Sequence, residues 1–97
     1  MTNLHHAVRN GNRKLSKLLI KLAPDKNPKD SNGRTPLHIA AEKGDAGIFE
    51  VLIDKVENKN PKDNVGWTPL HMAAEKGDMA ICKLIVDNTK DNNPRYI

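Results

Sequence analysis

The chain has 97 residues, a formal net charge of +4 and three aromatic residues, Phe49, Trp67 and Tyr96. Such a length sustains one cooperative unit with a thin core and marginal stability. No apolar run approaches the length of a membrane span and no signal-peptide pattern is present, so membrane insertion is not expected and the chain reads as cytoplasmic, with the nucleus open to it.

In chain order, the first predicted helix follows Thr2 and carries Leu4, His5 and Ala7, with Gly11 behind it. A second helix then places Leu15, Leu18, Leu19 and Leu22 at helical spacing. Cations crowd this stretch: residues 1–28 hold Arg9, Arg13, Lys14, Lys17, Lys21 and Lys26 against Asp25 alone, a net +5. Residues 29–61 carry −1 and residues 62–97 are neutral. A solvated outer face is one explanation of the basic stripe. A patch for an acidic protein, anionic lipid or nucleic acid is the other. Nucleic acid is the weakest of these, because no aromatic residues interleave with the cations.

The next helix is set by Thr35-Pro36: the hydroxyl caps an orphan amide, and proline at the first helical position gives up no needed donor. Leu37, Ile39, Ala40 and Ala41 form its short apolar body, the paired alanines letting a neighbouring helix approach closely. Gly44 ends it in the left-handed region, and Asp45 caps a longer helix with Ile48, Val51, Leu52 and then Val56 at helical spacing. A polar stretch around Asn60-Pro61 and Gly66 reads as an exposed turn. The sequence then starts again, with Thr68-Pro69, Leu70, Met72, Ala73, Ala74, Gly77 and Asp78, followed by Ile81, Leu84 and Ile85.

This restart is a repeat of period 33. Residues 29–61 align with 62–94 without a gap, and 17 of the 33 positions are identical. Leu4-His5, Ala7 and Gly11 keep the same register, as do Asn27-Pro28, Asn60-Pro61 and Asn93-Pro94. The motif Gly-x-Thr-Pro-Leu-His-x-Ala-Ala-x-x-Gly at this period resembles the ankyrin repeat and covers nearly the whole chain. The resemblance implies an all-α solenoid of about three helix-turn-helix units joined by β-turn or hairpin fingers. It forms a single domain over 1–97: a partial unit at 1–28, units at 29–61 and 62–94, and the start of another at 95–97.

The sequence departs from that pattern in places. Ala23, Val56 and Thr89 stand where a glycine usually closes the second helix, so the helix is expected to run on or to end at the downstream Asn. Pro24, Glu57 and Lys90 replace the small residue that usually follows, which implies looser packing under the finger. Asn60 and Asn93 fall where some arrays are hydroxylated, but Lys59 and Asn92 break the usual approach sequence, and the modification is not expected. Both ends read as incomplete, with Ile81, Leu84 and Ile85 expected to lie uncovered. A fragment of a longer array is the simpler explanation. Completion by a partner, or by end-to-end association of a monomer that is otherwise single, is the alternative.

Catalytic constellations are missing: there is no phosphate-binding glycine loop, no H-E-x-x-H, and neither Ser16 nor Ser31 lies in a nucleophile elbow. In the family, the histidine after the first-helix leucine steadies the turn locally, and His5, His38 and His71 match it. Neighbouring copies about one helix-packing distance of 10 Å apart cannot share a zinc ion whose ligands reach about 2.0–2.1 Å. His6 takes the place of Ile39 and Met72 and is expected to be a partly exposed end residue. Cys82 is the single cysteine, a packed thiol suited to a reducing compartment. Neither metal nor cofactor is expected.

The resemblance implies a non-catalytic module that binds a protein through finger tips and the concave first-helix face. By position, the contacts are Arg9 and Asn10 in the first unit; Lys29, Ser31, Asn32, Arg34, Glu42 and Lys43 in the second; and Lys62, Asn64, Val65, Trp67, Glu75 and Lys76 in the third. Trp67 leads, since tryptophan and arginine dominate interface energies. Its ring covering the next finger is the competing role. The alternative function is the same scaffold as a regulatory or targeting segment of a larger enzyme or channel, its basic first repeat contacting an acidic partner.

Overall fold

Threonine sets the start of three helices in the same way. In the computed structural model, which describes residues 2–89, the helices are α1 (Asn3–Arg9), α2 (Arg13–Leu22), α3 (Pro36–Lys43), α4 (Ala46–Lys55), α5 (Pro69–Lys76) and α6 (Met79–Thr89). Asn93-Pro94, Tyr96 and the expected start of a further unit lie outside these residues. Thr2, Thr35 and Thr68 each cap with the side-chain oxygen, accepting from the amide three residues on. The residue there is a histidine, whose Nδ1 accepts from the threonine amide in return. Histidine thus fills the place that glutamate takes in the usual reciprocal capping box. Gly44 and Gly77, at φ 72° and 70°, turn the chain out of α3 and α5. Asn12 and Asp45 then cap α2 and α4.

The helices form two layers. α1, α3 and α5 stack in order in one, α2, α4 and α6 in the other, and each pair is joined within its unit. Leu37, Ile39, Ala40, Ala41, Ile48, Phe49 and Leu52, all fully buried, form the centre of a core that runs the length of the stack. All six elements are helical and no strand occurs among the described residues; the fingers are turns.

Three expectations need correction. First, α2 and α4 do not run on to the downstream asparagine: they stop at Leu22 and Lys55, with Ala23 and Val56 in extended conformation. Lysine supplies the cap that glycine would have given. Lys59 Nζ donates to the carbonyls of Ile53 (2.7 Å) and Val56 (2.6 Å), and Lys26 Nζ donates to that of Ala23. α6 alone runs through its corresponding residue, Thr89.

Second, the inward face of α2 is Ser16 and Ile20, with Leu19 partly buried, whereas Leu15, Leu18 and Leu22 are exposed. Third, Ile81 and Ile85 are buried and Leu84 is half-buried, so they are not an uncovered end; the exposed large apolar residues of α6 are Met79 and Val86. Both errors have one cause. Helical periodicity finds an apolar stripe but does not say which flank meets the unit before and which the unit after.

Candidate functional site

The finger tips are built on a repeated aspartate. Asp30 Oδ1 accepts from the amides of Asn32 and Arg34, both at 2.9 Å, and Asp63 Oδ1 from those of Val65 (2.9 Å) and Trp67 (2.8 Å). Backbone bonds close the same loops, from Asp30 N to Arg34 O and from Asp63 N to Trp67 O. Burial acts to raise both carboxyls, but the amides they accept from hold them below the ordinary carboxylate range, with His5, His38 and Arg34 adding to the effect.

Adjacent fingers are tied together. Asn64 donates its amide to Asn32 O (3.0 Å) and its Nδ2 to Ser31 O (3.1 Å). Gly33 makes this possible: a Cβ there would meet the Asn64 Oδ1 at 2.3 Å, and its φ of 77° suits glycine. Histidine supplies the second tie. His5 Nε2 bonds Arg34 O and His38 Nε2 bonds Trp67 O, both at 2.8 Å, each reaching into the following unit. Because the Thr35 amide donates to His38 Nδ1, the ring proton sits on Nε2, aimed at the Trp67 carbonyl.

Trp67 is therefore anchored by its backbone at both ends. The residue is 37% exposed, and its ring lies 5.5 Å from the His71 ring at 40°. Val65 at the tip is 79% exposed. Arg34, which precedes it by one unit, is committed to the scaffold: its Nη2 meets Glu42 Oε2 and Met72 Sδ, each at 3.3 Å, and its Nε is buried without a partner. Glu42 is half-buried in that pair.

The other candidates are exposed: Arg9 and Asn10 at the end of α1, Lys29, Ser31, Asn32 and Lys62 on the fingers, Lys43, Glu75 and Lys76 at the ends of α3 and α5, and Asn64 through the rest of its surface. Sequence reasoning missed Asp30, Asp63, Lys26 and Lys59, although each pair stands 33 residues apart. Asp followed three residues later by glycine is a turn signal that could have flagged the aspartates. Among the described residues, no three His, Cys, Asp or Glu side chains gather as a metal site requires, and Cys82 is a half-buried free thiol.

Two-layer helical pairs, glycine-turned units and a 33-residue register together define a class of repeat protein. The chain matches the ankyrin repeats in three copies over residues 2–96, and it belongs to that family. Ankyrin repeats generally serve as protein–protein interaction modules. None of the curated proteins matches the chain. No helix among the described residues is long and apolar enough to cross a membrane.

Proposed function

We propose that this chain is a non-catalytic module that takes a protein partner on its finger tips and on the exposed side of its first helices. The observation that carries the reading is Trp67: a large ring left part-exposed beside Val65, on a loop fixed by Asp63 and by His38 of the preceding unit. A rigid aromatic anchor loses little freedom on binding, which is how a few residues come to dominate an interface. Lys43, Lys62, Glu75 and Lys76 are exposed, charged side chains of the kind that form the polar rim of an interface. The free thiol of Cys82 supports a reducing setting, the cytoplasm or nucleus.

The test is a pull-down from cell lysate with wild type and Trp67→Ala, both checked by circular dichroism. The variant should bind the captured partner more weakly by about 2 kcal/mol or more, with its helical signal intact. Loss of helicity along with binding would make Trp67 a packing residue, and unchanged capture would move the site elsewhere.

A further inference from the structure

Comparing burial across the repeat sorts each second-layer helix into two faces. Ile48, Leu52, Ile81 and Ile85 are buried, and Val51 and Leu84 half-buried, but each counterpart in α2 is less covered: Leu15 is 42% and Leu18 52% exposed, and Leu19 is only half-buried. α2 differs from α4 and α6 in having no described helix before it in the layer, so these positions face the preceding unit. Conversely Ser16, Ile20, Phe49 and Ile53 are buried, while Val86 in the last helix is 51% exposed and Cys82 half-buried. Those positions face the following unit. α2 therefore presents, uncovered, the same flank on which α4 receives α2 and α6 receives α4. It is a seat shaped for a helix.

This seat has been altered relative to the internal ones. Leu22, 67% exposed, stands where α4 and α6 carry Lys55 and Asn88. Lys14, Lys17 and Lys21, all exposed, stand where α4 carries Gly47, Glu50 and Asp54. The result is three successive Lys-Leu pairs, 14-15, 17-18 and 21-22, giving parallel apolar and cationic stripes at helical spacing. Beside them a cleft of about 420 Å³ is lined by Leu4, Leu19, Leu22, Pro24 and Pro28 among others.

We propose that this end of the stack is a second docking site, separate from the concave face, for an acidic amphipathic helix of a partner protein. Its apolar stripe would cover Leu15, Leu18 and Leu22, and its aspartates or glutamates would lie along Lys14, Lys17 and Lys21. The helical seat selects the shape of the occupant and the lysines select its charge. A flat bilayer would leave the cleft beside Leu22 unfilled. A second copy would bring up its neutral third unit, residues 62–97, which offers no excess negative charge.

The experiment titrates the full chain into a fluorescent peptide of about 18 residues, long enough to form helix, with Ile or Phe every three to four positions and Glu between them. Saturable binding is expected, weakening with salt and weakening at least about tenfold in Leu15→Ser/Leu18→Ser and in Lys14→Glu/Lys17→Glu/Lys21→Glu. Trp67→Ala should leave it unchanged, which separates this site from the concave face. The substituted side chains are exposed, and if the leucine variant loses helicity the lysine variant alone decides. Absence of saturation overturns the proposal, as does equal binding of a peptide with Lys in place of Glu, or indifference to the lysine changes. Sedimentation with phosphatidylserine vesicles in place of peptide binding would assign the face to lipid. A Leu18-dependent dimer in place of peptide binding would assign it to a second copy. Either result overturns the proposal.

Discussion

His38 makes a proton count at the centre of the stack. Its Nδ1 faces the Thr35 amide and hydroxyl, and its Nε2 faces the Trp67 carbonyl. A second ring proton on Nδ1 would point at the Thr35 amide proton. Burial is the main force lowering the imidazole below its ordinary value, with Arg34 helping; the Trp67 carbonyl, Asp63 and Asp30 pull the other way and lose. The folded protein thus disfavours the charged ring. Its contribution to stability is full above about pH 6.5, the unfolded value, and is lost as pH falls through that value towards the folded one. Asp30 and Asp63, lowered in the fold, add a second loss only as pH drops below about 4. The midpoint of urea unfolding should therefore fall between pH 7.5 and 5.5 in wild type, and by less in His38→Asn; an undiminished fall in the variant would place the sensitivity on another group. The sequence pattern made His38 structural and its bonding local; it does bond locally, to Thr35, but it also ties its unit to the next. Its bond to Trp67 was not legible, because that carbonyl comes alongside only when two units stack.

For single helices, most of the reading was available from the chain. Thr-Pro, Ala-Ala and Gly-Asp mark where α3 and α5 begin, pack and end, since each signal acts within one turn. The ends of α2 and α4 were misjudged because their cap arrives from further along. Val56 turns extended and buries itself, and Lys59 reaches back to the Ile53 carbonyl of the last turn and to that of Val56, the cap residue. A cation is favoured there by the helix dipole as well as by the hydrogen bonds. Lys59→Met keeps the stem and removes the charge. It should cost about 1 kcal/mol in denaturant unfolding, whereas a neutral result would mean that water caps α4 as well as the ammonium does.

Across the whole molecule, stability is concentrated in the middle unit. Leu37 is fully buried, yet Leu70, its counterpart 33 residues on, is only partly so, and Ala41 is buried where Ala74 is exposed. Leu37→Ala should cost about 2–5 kcal/mol, the range for a core leucine, and Leu70→Ala clearly less. Equal losses by chemical denaturation would mean that α5 is covered as well as α3. The candidate binding surface was legible as a set of positions, because the register alone brings Arg34 and Trp67 to matching places. Their unequal roles were not: Arg34 is drawn inward by Glu42 and Met72, contacts that no spacing rule encodes.

The bonds that join one unit to the next have a kinetic meaning. His5 to Arg34 and His38 to Trp67 each span 29 residues, Asn27 to Asn58 spans 31, Asn64 to Ser31 spans 33 and Arg34 to Met72 spans 38. Every junction closes a loop of nearly the same size, and closure entropy grows only with the logarithm of that size. The search for the folded state is then a series of short, equivalent steps, and adding units would lengthen the molecule without lengthening the slowest of them.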